Sequence, residues 1–374
     1  MRIAVNTRLL LSGKMEGIGW FTHEIMKRVV SAHPEHEFHF IFDRPFSQEF
    51  IFGPNVIPHV LPPQARHPML YKIWYDYSIP LLLKKIKADI FISPDAMLSL
   101  RTSIPQLIVI HDLNFEHYPE DVPAVYTRFL KKRSPLFAAK AKRIVTVSEF
   151  SKRDIAALYG TSTDKIDVVS NGAHVAYHPI SENEKIQTRS EISDGKSYFV
   201  FVSSIHPRKN LQRLLPAFDI FKDETKSDNK LVVVGQKFWF NEELQTAFDA
   251  MKHKADVVFA GRMQLDQLNK VVASSIALVY PSYFEGFGIP VIEAFQCETP
   301  VIASTATSLP EVAGDAALLI DPFSTEAIAD ALIILHEKPE LREELIRKGR
   351  ERVKHFDWYR SAEKFWESIL KTIS

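Results

Sequence analysis

The chain has 374 residues, which is long for one domain and sufficient for two. Lys and Arg number 46, and so do Asp and Glu, so the overall charge does not indicate a nucleic-acid partner. The single cysteine, Cys297, excludes a disulfide within these residues, and no run of about 20 apolar residues could span a bilayer. The sequence opens directly on a predicted strand, so we expect a cytoplasmic protein without a signal peptide.

The charge is less even along the chain. Residues 1–180 contain 22 Lys and Arg against 17 Asp and Glu, and the remainder contains 24 against 29. A modestly basic first half suits a phosphorylated acceptor or the anionic inner face of a membrane. Scattered solvated charges explain the same count equally well.

The first elements are a strand, a glycine-bearing loop and a helix. Residues 2–6 predict a buried strand, residues 11–19 a loop, and an apolar helix is expected from Trp20. The spacing of Gly17 and Gly19 is not the dinucleotide fingerprint, so by itself it indicates only a turn.

The second strand is predicted at residues 38–42, and an aromatic and basic stretch follows later, at residues 69–87. Between them, residues 52–68 are rich in proline and predict a long surface loop. Residues 69–87 fit a helix packed on the sheet with its lysines in water, which is the favoured interpretation. The other interpretation is a surface for the acceptor or for a membrane, where aromatic and basic side chains are both suited to the interface.

Two buried strands, at residues 88–93 and 106–110, lead to a polar pair. The second strand is followed directly by His111 and Asp112. Ligands of open α/β sheets bind at the carboxyl ends of the strands, so this pair lies where a functional site is expected. A core or capping role is the alternative for each residue.

The first half closes with a helix at 124–143 and strands at 143–148 and 166–170. Residues 174–195 are polar and without clear periodicity, and we interpret them as a linker. The predicted organisation is a first domain at 1–180, a linker at 181–196, a second domain at 197–354 and a terminal helix at 355–374.

Two cations mark the start of the second half. A strand at 198–202 leads to Arg208 and Lys209, just before an amphipathic helix begins at Leu211. Cations oppose the dipole at a helix start, which suggests that an anion belongs there, and the planar fork of arginine suits phosphate oxygens. A solvated basic cap is the alternative.

Further strands are predicted at residues 230–235 and 257–261, and Arg262 directly follows the second of them. After another at 277–280, Gly286 and Gly288 form a loop, and a helix begins at Ile289 with a proline in its first turn. Strand, glycine loop and helix start is the arrangement that directs backbone N–H groups at an anion. Two carboxylates bracket it with seven residues between them, Glu285 in the loop and Glu293 in the helix.

These strings resemble a known family. Glu-Gly-Phe-Gly from Glu285, Pro-Val-Ile-Glu-Ala from Pro290 and Thr-Pro-Val-Ile-Ala-Ser from Thr299 are similar to the donor-binding segment of the family-4 retaining glycosyltransferases, which carry a Glu-x7-Glu signature. His111-Asp112-Leu113 and Gly17-Ile-Gly19 resemble two further motifs of that family. The resemblance covers nearly the whole chain and implies the α/β GT-B fold, with two doubly wound Rossmann-like domains facing a cleft.

The resemblance also implies a reaction, the transfer of a sugar from a nucleotide-diphosphate sugar, GDP- or UDP-linked, to an acceptor hydroxyl with retention of configuration. It implies no metal and no cofactor beyond the donor. Catalytic roles would fall to His111, Glu285 and Lys209. The donor would be held by Gly17, Gly19, Arg208, Lys209, Arg262, Gly286, Phe287, Gly288, Ile289 and Glu293.

Two other functions remain open, a nucleotide-sugar epimerase or hydrolase of the same architecture, and a non-catalytic nucleotide-sugar-binding protein. The opening Asn6-Thr-Arg-Leu-Leu and Gly17-Ile-Gly19 look like those of bacterial mannosyltransferases of surface-polysaccharide assembly. The acceptor would then be a saccharide or a lipid-linked saccharide.

Overall fold

The computed structural model describes residues 1–236 and 242–374. Within them, strands and helices alternate through most of the chain, as the predicted strand–loop–helix units require. The strands are β1 Arg2–Asn6, β2 Glu37–Phe42, β3 Val56–Val60, β4 Ile90–Ser93, β5 Gln106–Val109, β6 Arg143–Thr146, β7 Ile166–Val168, β8 Tyr198–Val202, β9 Lys230–Val234, β10 Val257–Gly261, β11 Leu278–Tyr280, β12 Val301–Ser304 and β13 Leu318–Ile320.

The helices lie mostly in the connections between these strands. They are α1 Gly17–Ala32, α2 Pro68–Ile73, α3 Ile79–Ile86, α4 Asn114–His117, α5 Ala124–Lys140, α6 Glu149–Tyr159, α7 Glu182–Ser193, α8 Leu211–Thr225, α9 Glu242–Asp249, α10 Leu265–Ala273, α11 Ile289–Gln296, α12 Leu309–Ala313, α13 Thr325–Glu337, α14 Pro339–Val353 and α15 Trp358–Ile373. A π-helical turn, Trp74–Ser78, joins α2 to α3.

The first compact unit contains residues 1–171 and 357–374. Its seven strands form a parallel sheet in the order β3-β2-β1-β4-β5-β6-β7. The central strands are buried along their whole length because helices cover both faces of a parallel sheet. The strand order reverses between β1 and β4, so the loops after these two strands border the point where ligands of such sheets bind.

The second compact unit contains residues 172–356. The six strands described in it are also parallel, in the order β10-β9-β8-β11-β12-β13. The order reverses between β8 and β11. The loops after β8 and β11 are those that carry the predicted cations and the Glu-x7-Glu segment.

The prediction of a long loop at residues 52–68 is wrong, because β3 lies inside it. Pro58 obscured the strand, since proline cannot donate to a sheet ladder. It is tolerated here because β3 is the outermost strand of its sheet and, among the described residues, pairs with β2 alone.

Two helix predictions are corrected as well. Helix α1 begins at Gly17 rather than Trp20, so Gly17 and Gly19 occupy its first turn instead of a loop. The linker predicted as irregular contains α7, whose start carries a capping box between Ser181 and Glu184. The side chains of α7 are polar nearly throughout, so the sequence has no hydrophobic periodicity that would indicate a helix there.

The terminal helix α15 packs on α1 within the first unit. Trp358 and Phe365 both meet the ring of Phe21 edge-on, at 6.2 and 6.1 Å between ring centroids. The side of α15 that carries Trp358, Phe365 and Ile369 is therefore buried, while Leu370 and Ile373 near its end are exposed. In the part of the chain that the structure describes, no helix combines the length and apolarity needed to cross a bilayer.

Candidate active site

The loop between β11 and α11 has the predicted architecture of strand, glycine turn and helix start. Gly288 adopts a φ of +105°, and a side chain there would place a Cβ 2.5 Å from the Leu309 side chain. The hydroxyl of Ser308 donates to the backbone carbonyls of Glu285 (2.9 Å) and Phe287 (3.0 Å). The loop is thereby held in one conformation at the carboxyl edge of the sheet.

Glu285 lies at the centre of this loop and is only 5% exposed. Its Oε2 accepts from Nη1 of Arg208 at 3.0 Å, and its Oε1 accepts from Nζ of Lys209 at 2.5 Å. The hydroxyl of Tyr280, at the end of β11, donates to Oε1 at 2.9 Å and accepts from the Lys209 ammonium at 2.7 Å. Glu285 is therefore a buried, paired carboxylate and not a solvated loop acid.

Charge pairing decides the ionisation of this cluster. Burial alone would raise the pKa of Glu285, but Arg208 and Lys209 outweigh it and lower the pKa to about 2. The carboxylate stays ionised throughout the neutral range. Lys209 is 7% exposed, so it is not the solvated cap that was the alternative for this pair.

The two cations are fixed by the backbone around them. They lie in a short 3-10 turn, Pro207–Lys209, and Asn210 leaves it in a left-handed conformation with φ of +66° before α8 begins. The backbone N–H of Tyr283 donates to the carbonyl of Arg208 at 3.0 Å, and the Arg208 guanidinium donates to the carbonyl of Phe284 at 2.9 Å. The loops after β8 and β11 therefore form one structure.

Glu293 lies one turn into α11 and is half-buried. The desolvated surroundings raise its pKa to about 7, although a hydrogen bond with Tyr177 opposes this shift. Tyr177 is buried and comes from the segment that opens the second unit. The pKa values of Glu285 and Glu293 are thus shifted in opposite directions. Glu285 is an anion at neutral pH, whereas Glu293 is close to its titration point there.

In the first unit, His111 follows β5 at the carboxyl edge of the sheet. Its Nε2 lies 3.0 Å from the carbonyl oxygen of Pro94, and its ring meets Phe21 edge-on at 5.1 Å. Burial lowers the pKa of His111, so the ring is neutral near pH 7. Asp112 accepts the backbone N–H of Asn114 at 3.0 Å, which gives it a local turn-forming role.

The remaining predicted residues have more local surroundings. Gly19 lets α1 approach the Leu9 carbonyl, because a Cβ there would lie 2.8 Å from that oxygen. Arg262 is exposed directly after β10, and Ile289 is the first residue of α11. The Phe287 ring is buried and meets the Phe356 ring edge-on, at 5.5 Å between ring centroids.

Sequence analysis missed two tyrosines, Tyr280 and Tyr177. Tyr280 ends a strand at the edge where ligands bind, and that position was a usable signal. Tyr177 lies in the stretch at 174–195 that was interpreted as a linker, so nothing local indicated its partner. Among residues 1–236 and 242–374, no group of three or more His, Cys, Asp and Glu side chains could hold a metal ion.

Two family models match consecutive parts of the chain. Residues 15–177 match Glycosyltransferase Family 4, and residues 182–352 match Glycosyl transferases group 1. The chain is 27% identical over 355 residues to O-antigen chain mannosyltransferase B of Escherichia coli, covering 92% of this chain and 93% of that protein. It is 28% identical over 292 residues to O-antigen chain mannosyltransferase RfbU of Salmonella typhimurium, covering 77% and 76%.

Solved glycosyltransferase structures share the fold. WaaG, a glycosyltransferase involved in lipopolysaccharide biosynthesis, aligns over 97% of this chain and 98% of its own, with a TM-score of 0.75 at 18% identity. HepE of Anabaena, solved with UDP and glucose, aligns over 99% of both chains with a TM-score of 0.76 at 16% identity. The predicted GT-B fold is confirmed. With two family models spanning nearly its whole length in this order, the chain belongs to the group 1 glycosyltransferases and is a glycosyltransferase.

Proposed function

We propose that the chain transfers a sugar from a nucleoside-diphosphate sugar to a hydroxyl of a saccharide or lipid-linked acceptor, with retention of configuration and without a metal ion. The observation that carries the proposal is the meeting of Arg208 and Lys209 with Glu285 at the loop before α11. Two fixed cations beside a helix N-terminus are suited to a diphosphate.

The cations supply what the departing group needs. When the bond between the anomeric carbon and the diphosphate oxygen breaks, negative charge collects on that oxygen, and Arg208 and Lys209 stabilise it without rearranging. The acceptor oxygen bonds to the same face of the anomeric carbon, and its proton passes to the departing phosphate oxygen. Glu285 keeps both cations in place and lies near the sugar hydroxyls, and His111 helps to hold the sugar.

We further propose that Glu293 accepts hydrogen bonds from the ribose hydroxyls of the donor. A carboxylate accepts from two hydroxyls at once, and this position is one turn into the helix that follows the diphosphate loop. GDP-mannose is the favoured donor, since two relatives matched along most of this chain are named mannosyltransferases. Their names also favour an acceptor from surface-polysaccharide assembly.

A transfer assay in EDTA tests this proposal. We expect the protein to transfer mannose from GDP-mannose to saccharide or lipid-linked acceptors of O-antigen assembly at the same rate with and without EDTA. NMR of the product should show the anomeric configuration of the donor. UDP-glucose serves as the comparison donor.

Three results would contradict particular parts of the proposal. Loss of transfer in EDTA, with recovery on adding Mg²⁺ or Mn²⁺, overturns metal independence. An inverted product overturns retention. Donor consumed at the same rate with no acceptor present indicates the hydrolase or epimerase instead.

We also propose that the first unit contacts a membrane surface through an apolar stripe, defined as Met69, Ile73, Tyr77 and Leu81. These side chains recur at every fourth residue along α2, the π-helical turn and α3, and all four are exposed, Met69 by 65% and Leu81 by 71%. Exposed lysines flank the stripe at Lys72, Lys84, Lys85 and Lys87. Apolar side chains among lysines suit the interface of an anionic bilayer.

Charge reversal tests this contact. The full chain is expected to sediment with vesicles containing anionic phosphatidylglycerol, less so as salt rises, and weakly with neutral vesicles. Replacing Lys84, Lys85 and Lys87 by glutamate should weaken this binding at least tenfold, because each lysine contributes about 1 kcal/mol near such a surface. Nucleotide affinity should not change.

The matched control replaces three exposed lysines of the second unit, Lys254, Lys270 and Lys338, by glutamate. Equal losses in the two triple variants would mean that net charge alone causes the binding. A loss of nucleotide affinity in the first variant would mean that the stretch supports the fold instead.

A further inference from the structure

A buried polar cluster lies at the point where the first sheet reverses its strand order. Asp95, 6% exposed, occupies the turn directly after β4. Its carboxylate pairs with the Arg8 guanidinium, lies 2.8 and 2.7 Å from the Tyr75 hydroxyl, and accepts from the Ser93 hydroxyl at 2.9 Å. The Asp95 cluster is defined here as Asn6, Arg8, Tyr75, Ser93 and Asp95.

Secondary contacts close the cluster. The amide of Asn6 donates to the Tyr75 hydroxyl at 2.8 Å and to the Ser93 hydroxyl at 3.1 Å. The Arg8 guanidinium also donates to the carbonyl of Ala65 at 3.0 Å. A buried network with its charges paired and its donors and acceptors matched is rigid, so it fixes the elements that carry it. Those elements include the loop after β4.

The turn that Asp95 occupies is held in a costly conformation. Ala96 has a φ of +62°, a left-handed conformation that costs a residue with a side chain roughly 1–2 kcal/mol. Its N–H donates to the carbonyl of Val109 at 3.0 Å, beside the end of β5. Such a turn persists where its surroundings over-determine it. The Asp95 cluster is the part of those surroundings that a single substitution can remove.

This same turn carries the hydrogen-bond partner of His111. The Pro94 carbonyl can only accept, so the contact at 3.0 Å means that Nε2 of His111 carries the proton. A neutral ring protonated at Nε2 has an unprotonated Nδ1, which is an acceptor. The position of the Pro94 carbonyl therefore decides which edge of His111 can receive a sugar hydroxyl.

We infer that Asp95 is a positioning residue for His111, acting through the turn that aims the Pro94 carbonyl at Nε2. This inference rests on the proposed function only in that His111 is proposed to hold the donor sugar. Asp95 itself need not touch the substrate. Without the charge of Asp95, Arg8 and Tyr75 lose the carboxylate that both of them contact. The strained turn then relaxes, and the ring of His111 loses its fixed orientation.

NMR of the full chain labelled with ¹⁵N-histidine tests this link without reference to activity. The His111 resonances are identified by their loss in His111→Gln. In the unsubstituted protein, the Nε2–H of His111 should exchange slowly with water because a carbonyl holds it. In Asp95→Asn this signal should broaden or vanish, while kcat for transfer falls at least tenfold and the nucleotide Kd remains unchanged.

The control is Asp76→Asn, which alters another buried carboxylate of the same unit. Asp76 pairs with Arg133 at 2.6 Å and accepts the N–H of Leu100 at 3.2 Å, with no bond to the turn that bears Pro94. The His111 signal should persist in this variant. If Asp95→Asn does not fold, Tyr75→Phe, which removes one donor and keeps the ion pair, should give a smaller increase in the exchange rate.

A folded Asp95→Asn or Tyr75→Phe protein that keeps the slow Nε2–H exchange overturns the inference. Loss of the signal in Asp76→Asn as well also overturns it, because any buried charge would then have the same effect. Loss of the signal in Asp95→Asn with normal transfer supports the positioning of the ring and contradicts the sugar-holding role of His111. The two ideas therefore fail separately.

Discussion

Glu285→Gln is expected to lower kcat by roughly 10²–10³, the loss measured when one positioned group is removed from a transition state. The carboxylate brings Arg208 and Lys209 together at the place where the leaving diphosphate gains charge. Glutamine keeps the shape but cannot balance two cations. Steady-state kinetics on folded protein provide the measurement, and KM for the donor should change less than kcat.

Stability should fall in the same variant. Removing one partner of a buried ion pair costs about 3–5 kcal/mol because the other charge stays buried without compensation. Lys209→Met should lose stability for the same reason. The double variant should recover part of the loss, since a buried pair replaced on both sides leaves fewer unpaired charges.

The double variant separates structure from catalysis. If the cluster served the fold alone, restored stability in Glu285→Gln with Lys209→Met would bring activity back. We expect activity to remain low, because the cation that stabilises the departing diphosphate is gone. Glu298→Gln, which alters a half-buried glutamate paired with Arg350, is the control and should keep normal kcat. Unchanged kcat in Glu285→Gln would remove this loop from the catalytic assignment.

Glu293→Gln is expected to make the protein more stable at pH 8 than the unsubstituted chain. The same substitution should weaken the binding of the donor. The folded pKa of Glu293, about 7, lies above its ordinary value of 4.5, so the folded state binds the proton more tightly than the unfolded chain. The stability of the unsubstituted protein therefore falls as pH rises from about 4.5 to about 7. The full effect is at most about 3 kcal/mol, less for a half-buried group.

The thermal measurement follows from this sign. The Tm difference between Glu293→Gln and the unsubstituted protein should be positive at pH 8 and near zero at pH 5. Donor KM should rise about tenfold in the variant at pH 8, the loss of one charge-assisted hydrogen bond. At pH 6 the difference in KM should shrink, because the unsubstituted carboxylate is then largely protonated.

Tyr177→Phe gives an independent control. The Tyr177 hydrogen bond lowers the pKa of Glu293, so its removal should move the pH midpoint of donor KM upward. A KM ratio that is the same at pH 6 and pH 8 would mean that Glu293 does not titrate in this range. A variant that loses stability at pH 8 would mean that the carboxylate supports the start of α11 instead.

Much of the fold could be predicted from local sequence patterns. The apolar runs at β4, β5, β8 and β9 read as buried parallel strands, and all four are present. Prediction failed where local pattern was silent or misleading: Pro58 hid an edge strand, and the polar residues of α7 hid a helix whose capping box supplies its start signal. These failures lie at the periphery of the sheets, where hydrophobic periodicity is weakest.

The sequence by itself determined two parallel α/β units, the glycine turn before α11 and the chemical types of the site residues, because strand period, turn residues and motif spacing are properties of neighbouring residues. Only the tertiary structure decided what those residues do to one another. It brought Lys209 to Glu285 across 76 residues and Arg8 to Asp95 across 87. It also gave Glu285 and Glu293 opposite pKa shifts, since burial and charge partners come from distant loops that meet only when the sheets form.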